Sequence, residues 1–264
     1  MDVLTPDLDY TDFLRGIASA PERILLLDYD GTLAPFHIRP ELATPYPEVR
    51  TVLSTIVRAG GTRVVIVSGR RAEDLLPLLP LDERPEIWGS HGRERLQPDG
   101  TLLLEAPEEH ERMALEEAAA VLEPALHAGC RIERKPASVA VHWRGASVLS
   151  VAKLRATATA AWKPLAQDQG LEWLPFDGGL ELRAPGCNKA HAVHAVLADA
   201  APGSAIAYLG DDITDEDAFE AIKPWGIGVL VRPQFRQTHA DVWLRPPREL
   251  VAFLKLWRVD TMRG

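Results

Sequence analysis

The chain has 264 residues and a mass of 29.0 kDa, a size that suits one large domain or two modest ones. Its formal charge of −9 disfavours a nucleic-acid partner, and its 46% of hydrophobic residues excludes a disordered chain. No apolar run reaches the ~20 residues of a membrane span and the N-terminus is acidic, so we expect a cytoplasmic protein with no membrane partner.

Short apolar runs alternate with helical stretches along much of the chain. We predict buried strands at 23–28, 62–69, 205–212 and 226–231, and helices at 47–60 and 188–201. Runs that are apolar throughout are typical of parallel strands covered on both faces. The pattern therefore predicts an α/β core with a doubly wound, Rossmann-like parallel sheet.

The middle of the chain has a different pattern. We predict a helix at 107–129 that Pro124 interrupts, and a long helix at about 147–168. Strand-like runs lie beside them, and SVAVHW and LELRA alternate as half-buried antiparallel strands do. These runs predict an α+β insert at 107–183 inside a core formed by 1–106 and 184–264. The Asp-Gly pair of RERLQPDGTLLLEA predicts a hairpin just before the insert.

Polar residues stand where the predicted parallel strands end: these are Asp28, Asp30, Ser68, Asp211, Asp212 and Asp215. Ligands of doubly wound sheets bind outside the carboxyl ends of the strands, so these side chains should converge at one edge. Carboxylates crowded together repel one another, and such a cluster normally holds a hard cation. Carboxylate and backbone oxygens with room for water and phosphate suit Mg²⁺.

The segment LLLDYDGTLAPF, residues 25–36, is by itself compatible with a tight turn, a metal loop or a nucleophile. A calcium loop is excluded because Leu33 occupies the position of its invariant glycine.

Two cations lie at predicted helix starts. Lys189 follows the predicted helix cap Asn188, and Arg70 lies at another predicted helix start. A cation at a helix N-terminus is unfavourable unless an anion binds there. A carboxylate, a second acid two residues on, a hydroxyl, a lysine and Mg²⁺ are the groups that phosphoryl transfer requires.

Four motifs, DYDGT, VSGR, CNKA and GDDITDED, resemble in type and order those of the haloacid-dehalogenase-like phosphatases. The resemblance implies that fold, with Asp28 as nucleophile and Asp30 as general acid/base. It also implies that Asp28, the Asp30 carbonyl and Asp211 hold Mg²⁺, with Asp212 beside them and Asp215 supporting the lysine or the metal waters. The phosphate site that it implies consists of Gly31, Thr32, Ser68, Gly69 and Lys189.

A closer resemblance, over about 23–245, is to the trehalose-6-phosphate phosphatases, through GSHGRER, ERKPASVAVHWR, LELRAPGCNKA and GDDITDEDAF. It implies hydrolysis of trehalose 6-phosphate to trehalose and phosphate, the last step of trehalose biosynthesis, and it makes the insert a mobile cap. Ala190 departs from the family, which usually has glycine there. The sugar contacts that the resemblance implies or makes plausible are Arg70, His91, Glu133, Lys135, His142, Arg144 and Glu181.

Several alternatives remain open at this point. The substrate could be another disaccharide phosphate, of the sucrose-phosphate or mannosyl-phosphoglycerate type, or the chain could be a non-catalytic module that senses sugar phosphates. Glu133 and Lys135 lie on one face of a strand, and they could equally form an exposed ion pair worth about 0–1 kcal/mol. A separate trehalose-phosphate synthase is a candidate transient partner. The histidines and the cysteines, Cys130 and Cys187, lack zinc spacing, so we assign no zinc and expect reduced thiols.

Overall fold

The computed structural model describes residues 1–126, 129–176 and 178–258 and divides into two compact units. The first unit comprises Met1–Leu103 and Asn188–Gly264, and the second comprises Leu104–Cys187. The predicted insert lies within the second unit, and its role as a cap stays a prediction. Residues 127, 128 and 177 of the predicted insert and 259–264 of the predicted core lie outside the described residues.

The first stretch of the chain carries six strands and three α-helices among its described residues. They are β1 (Asp2–Val3), α1 (Tyr10–Ser19), β2 (Arg23–Leu27), α2 (Pro47–Ala59), β3 (Arg63–Val67), α3 (Ala72–Leu75), β4 (Glu86–Gly89), β5 (Glu94–Leu96) and β6 (Leu102–Leu104). The second unit continues with α4 (Glu109–Leu122), β7 (Arg131–Lys135), β8 (Ser138–His142), α5 (Val148–Gln169), β9 (Glu172–Phe176) and β10 (Gly179–Arg183). The chain then forms α6 (Lys189–Ala198), β11 (Ala205–Gly210), α7 (Glu216–Ile222), β12 (Ile227–Val231), β13 (Val242–Leu244) and α8 (Arg248–Lys255).

The sheet of the first unit has the order β1-β13-β12-β11-β2-β3-β4-β5-β6 in the described part of the chain. The strands from β13 to β4 are parallel, whereas β1 and β5 are antiparallel additions near the edges. The predicted parallel sheet is therefore confirmed, and the predicted hairpin is present as β5 and β6. Leu27 at the end of β2 pairs with both Leu209 and Ile66, so the carboxyl ends of β11, β2 and β3 lie side by side.

Strand β2 shows why these runs are apolar throughout. All of Ile24–Leu27 is fully buried, because successive side chains point to opposite faces and both faces are covered. Leu25 and Leu27 belong to a core cluster shared with α1, α2 and α8, whereas Ile24 and Leu26 belong to one shared with α6 and α7. The polar residue that follows β2 is thereby held at the edge of a rigid, fully packed strand.

The sheet of the second unit has the order β7-β8-β10-β9, with all its neighbouring strands antiparallel. One face packs on α4 and α5 through residues such as Val139, Val141 and Leu182, around the buried Trp162. Helix α4 ends at Leu122, and a 3₁₀ turn that contains Pro124 follows, as the sequence predicted.

The prediction of half-buried strands in the insert is wrong for β10, and β8 is buried from Ser138 to Val141 as well. Every residue of Gly179–Arg183 is buried, including Glu181, which points away from the apolar face. A buried carboxylate is tolerated when it is paired and hydrogen-bonded, and Glu181 accepts hydrogen bonds from Lys135 and Ser138.

Among the described helices, none is both long enough and apolar enough to cross a membrane.

Candidate active site

Asp28 follows β2 and has a carboxylate that is held on both oxygens. Nζ of Lys189 donates to its Oδ1 at 2.7 Å, and the hydroxyl of Thr32 donates to its Oδ2 at 3.0 Å. The residue is 3% exposed. Burial, assisted by the carboxylate of Asp215, raises the pKa of Asp28 to about 7 against the opposing effect of Lys189. The carboxylate is thus fixed in orientation and shielded from bulk water.

Lys189 connects Asp28 with a second buried acid. Its Nζ also donates to Oδ1 of Asp215 at 2.7 Å. Burial alone would lower the pKa of Lys189, but Asp215 and Asp28 raise it, so the ammonium stays charged. Helix α6 begins at Lys189 because the side chain of Asn188 accepts from the amide of His191 at 3.1 Å, which confirms the predicted cap.

Asp215 organises the acidic loop after β11. Besides Lys189, its Oδ1 accepts from the hydroxyl of Tyr208 at 2.6 Å, and its Oδ2 accepts from the amides of Asp211 at 3.0 Å and Asp212 at 2.9 Å. Asp212 in turn accepts from the amide of Ile213 and caps the short turn that follows. Asp215 therefore has four donors, which suits the supporting role that the family resemblance implied.

The acids at this edge could hold a divalent cation. Carboxylate oxygens of Asp28, Asp211 and Asp215 lie within 4.8 Å of one another. Within the described ranges, no donor hydrogen-bonds to the carboxylate of Asp211, and burial with the charges of Asp28 and Asp215 raises its pKa well above the ordinary value. A bound cation would remove this repulsion, and an all-oxygen donor set fits Mg²⁺.

Gly31 allows the carboxylate of Asp211 to lie against the backbone of the loop after β2. Its φ is +89°, and a Cβ at this position would lie 2.1 Å from Oδ2 of Asp211. The turn continues with a hydrogen bond from the Gly31 amide to the carbonyl of Ala34 at 2.7 Å. Only glycine fits both the backbone angle and the contact.

Asp30 lies apart from the other acids and pairs with Arg70. Nε and Nη2 of Arg70 donate to its two carboxylate oxygens at 2.6 Å each, and Nη1 donates to the carbonyl of Pro40 at 2.8 Å. Arg70 precedes α3, which begins at Ala72, rather than opening the helix as predicted. The roles of Asp30 as general acid/base and of Arg70 as a substrate contact stay predictions.

The Ser68–Gly69 turn is braced by His91. The amide of His91 donates to the carbonyl of Ser68 at 3.0 Å, and a Cβ on Gly69 would lie 2.6 Å from the His91 ring. His91 adopts a φ of +57°, which is uncommon for a residue with a side chain. In this structure His91 supports the loop of the predicted phosphate site; its predicted contact with sugar stays a prediction.

In the second unit, Lys135 and Glu181 form a buried pair. Nζ of Lys135 donates to Oε1 of Glu181 at 3.0 Å, and the hydroxyl of Ser138 donates to the same oxygen at 2.6 Å. Burial opposes the charge on Lys135, but Glu181 and Glu133 raise its pKa. The alternative of an exposed Glu133–Lys135 pair is therefore not what the structure shows.

Glu133 and His142 form a second pair on the same face of this sheet. Nε2 of His142 lies 2.6 Å from Oε2 of Glu133, and the imidazole edge packs on Phe176. Burial would raise the pKa of Glu133, but Lys135 and His142 hold it at about 2, whereas burial lowers the pKa of His142. An ionised carboxylate and a neutral imidazole are thus available near neutral pH. Arg144, also predicted to contact sugar, lies against Gly178.

Sequence reasoning missed several residues around the site. Tyr208, which bonds Asp215, is a tyrosine inside an apolar strand, and a buried hydroxyl needs a partner. Glu94 accepts from the amide of Ala72 at 2.7 Å and from the hydroxyl of Ser90 at 2.9 Å, which fixes the start of α3. Arg232 and Arg236 bond the carbonyls of the acidic loop, and their place just after β12 was a usable signal.

The sheet order, with Asp28, Ser68, Lys189 and Asp211 at its carboxyl edge, is that of the haloacid-dehalogenase-like α/β fold with an inserted α+β domain. A family model described as Trehalose-phosphatase matches residues 26–241. The chain belongs to the trehalose-phosphatase family.

Individual relatives agree with this assignment. The chain is 35% identical over 224 residues to a trehalose-phosphate phosphatase of Mycobacterium ulcerans, covering 81% of this chain and 55% of that protein. The C-terminal domain of a C. albicans trehalose-6-phosphate phosphatase matches with a TM-score of 0.81 and 22% identity, covering 98% of this chain and 99% of that one. An Aspergillus fumigatus trehalose-6-phosphate phosphatase matches with a TM-score of 0.65 and 26% identity, covering 97% of this chain and 99% of that one. The chain spans about half the length of the curated relatives that it matches.

The raised pKa values predict how magnesium and pH act together. The pKa of Asp28 is about 7 in the folded chain, above its ordinary value of 3.8, so the folded chain binds more protons than the unfolded one between these values. Without metal, the contribution of Asp28 to stability therefore falls as pH rises through this window. We expect Mg²⁺ to raise the Tm by about 3–5 °C near pH 8 and by less than about 1 °C near pH 5, measured by differential scanning fluorimetry.

The control for that measurement is Asp211→Asn, which should lose most of the shift near pH 8. A salt of matched ionic strength without magnesium should also leave the Tm unchanged. Equal shifts at both pH values would contradict the competition between protons and metal.

Proposed function

We propose that the chain is a Mg²⁺-dependent phosphatase that converts trehalose 6-phosphate to trehalose and phosphate through a phosphoaspartate on Asp28. The observation that supports this most strongly is the buried Asp28 carboxylate, held between Lys189 and Thr32 at the end of β2. A carboxylate fixed in this way can attack phosphorus and divide one difficult hydrolysis into two easier steps. In a cell the reaction would complete trehalose biosynthesis, with a cytoplasmic location and a synthase partner as further predictions.

The chain's own residues supply most of the reaction. Ser68, Lys189 and the amide of Thr32 bind the phosphoryl oxygens and stabilise charge that develops on them. The Gly31 amide, also predicted to bind phosphate, donates to the carbonyl of Ala34 in this structure. An oxygen of Asp28 forms the bond to phosphorus as the bond to the sugar oxygen breaks. When bound by Asp28, Asp211 and the Asp30 carbonyl, Mg²⁺ would neutralise charge on the transferring group.

Asp30 supplies the proton in the first step and removes one from water in the second. In this structure its carboxylate is occupied by Arg70, so proton transfer requires Asp30 to exchange that partner for the leaving oxygen. Arg70 then becomes available to bind an anionic group of the substrate. This exchange reconciles the pair in the structure with the substrate contact predicted for Arg70.

In this proposal the sugar binds to the polar face of the sheet in the second unit. The names of the relatives support trehalose 6-phosphate as substrate, and the Glu133, Lys135, His142 and Glu181 pairs present both donors and acceptors to hydroxyl groups. Hydrogen bonds from such groups to sugar hydroxyls discriminate strongly, because a site built to bond a hydroxyl rejects an analogue that lacks it.

A phosphate-release assay over a panel of sugar phosphates tests the proposal. We expect trehalose 6-phosphate to exceed sucrose 6-phosphate, mannosyl-phosphoglycerate and glucose 6-phosphate by about 100-fold in kcat/KM, with activity lost in chelator. An equal or greater rate on sucrose 6-phosphate or mannosyl-phosphoglycerate would refute the substrate. Binding of trehalose 6-phosphate without hydrolysis of any compound would instead favour the sensing module.

Glu133→Gln tests the role of the second unit in sugar recognition. Because a hydrogen bond to a charged acceptor is worth about 1.5–3 kcal/mol, we expect the KM for trehalose 6-phosphate to rise about ten-fold. Hydrolysis of p-nitrophenyl phosphate, which has no sugar, should stay within about two-fold of the wild type. The matched control is Glu123→Gln, which removes an exposed carboxylate that pairs with Arg134. Equal losses on both substrates would show that Glu133 does not read the sugar.

A further inference from the structure

Two arginines after β12 hold the backbone of the acidic loop. Nε of Arg236 donates to the carbonyl of Asp211 at 3.2 Å, and its Nη2 donates to the carbonyl of Asp212 at 2.6 Å. Nη1 of Arg232 donates to the same Asp211 carbonyl at 3.1 Å. Neither arginine lies in the four motifs, and both bond the backbone carbonyls of the loop rather than its carboxylates.

The peptide group between Asp211 and Asp212 is thereby fixed at both ends. Its carbonyl is held by Arg236 and Arg232, and its N–H, on Asp212, donates to Oδ2 of Asp215 at 2.9 Å. A peptide group is planar, so fixing the carbonyl and the N–H fixes the whole plane. The Asp211 side chain is attached to the Cα at one end of this plane, and its carboxylate lies beside those of Asp28 and Asp215.

Arg236 is itself held in place. Its Nη1 pairs with the carboxylate of Glu216 and donates to the carbonyl of Gln237 at 2.9 Å. Glu216 also accepts from the hydroxyl of Thr238 at 2.9 Å and from the amide of His239 at 2.6 Å. The side chains of Arg236 and Glu216 are only 20% and 16% exposed, so the guanidinium has little freedom to leave the loop.

We propose that Arg236 is a positioning residue for the metal site, which keeps the Asp211 carboxylate aimed at the cation by clamping the Asp211–Asp212 peptide. Arg232 adds a second donor to the same carbonyl. This inference rests on the proposed function, because it takes Asp211 as a magnesium ligand. Groups that orient metal ligands typically change metal affinity by about 10–100-fold when removed.

Magnesium binding to the full chain, measured by isothermal titration calorimetry without substrate, tests the inference. We expect Arg236→Gln to raise the magnesium Kd at least about ten-fold. Arg236→Lys keeps the charge but cannot donate to both carbonyls in the way that a guanidinium does. We expect this variant to raise the magnesium Kd by at least about three-fold, a smaller change than in Arg236→Gln. The control Arg58→Gln, which removes an exposed partner of Asp82, should leave the Kd unchanged. At saturating magnesium, kcat should change less than the Kd.

A lower Tm with a wild-type magnesium Kd in Arg236→Gln would overturn the inference, since the residue would then be structural only. If Arg236→Gln does not fold, Arg236→Lys decides, and an unchanged Kd in that variant overturns the inference. Absence of magnesium binding in the wild type would be a different result: it would overturn the proposed metal site itself.

Discussion

Asp28→Asn should lower phosphate release from trehalose 6-phosphate by about four orders of magnitude or more. An amide cannot attack phosphorus, but it fills the space of the carboxylate. Its oxygen can accept from Lys189, and its NH2 group can donate to the Thr32 hydroxyl. Burial raises the pKa of Asp28 to about 7, so the charge removed by the substitution is an unfavourable one near pH 8 without metal. We therefore expect the Tm of the metal-free variant to equal or exceed that of the wild type.

Steady-state phosphate release and a melting curve at about pH 8 measure both parts of this prediction. The matched control is Asp82→Asn, which removes an exposed carboxylate that pairs with Arg58. Mass spectrometry of an acid-quenched reaction should find phosphate on the peptide that contains Asp28 in the wild type alone. Substantial turnover by Asp28→Asn, with a normal fold, would refute covalent catalysis by this residue.

Lys189→Met is expected to abolish phosphatase activity and also to lower the free energy of unfolding by about 3–5 kcal/mol. The substitution leaves Asp28 and Asp215 buried without the ammonium that lies 2.7 Å from each. Protonation of the orphaned carboxylates relieves the repulsion at low pH, so the loss of stability should be larger near pH 8 than near pH 5. Activity falls as well, because the phosphoryl group on Asp28 loses the positive charge that lies beside this carboxylate.

Urea unfolding at the two pH values, with phosphate release as the second readout, checks this prediction. Lys153→Met, on the exposed face of α5, is the control and should change neither quantity. Adding Asp215→Asn to Lys189→Met should restore part of the stability and none of the activity. If Lys189→Met alone is as stable as the wild type at both pH values, the buried lysine is not needed to hold Asp28 and Asp215.

The fold was largely predictable because its strands obey simple rules. β2 is apolar at successive positions since both of its faces are buried, and that pattern is plain in the order of the residues. Asn188 before Lys189 indicated a helix start, and its side chain does cap α6. The burial of β10 was not predictable, because its alternating pattern conceals that Glu181 is paired with Lys135 from another strand.

The candidate site was predictable in its composition but not in its pairs. The motifs identified Asp28, Lys189 and Asp215, and the structure brings these three side chains into direct contact. The motifs did not indicate that Arg70 forms a salt bridge with the carboxylate of Asp30. Arg236 follows β12, which was a usable signal, but its partners are backbone carbonyls, which every residue carries and no motif marks.

The sequence by itself determined which chemical groups stand at the ends of the parallel strands, since such ends share one edge of a sheet. It also determined the family, through motifs spread over most of the chain. Only the tertiary structure decided which groups meet, because a hydrogen bond depends on distances of a few ångströms between side chains that packing brings together. Lys189 reaches Asp28 across 161 residues of sequence at 2.7 Å, and no local pattern contains that distance.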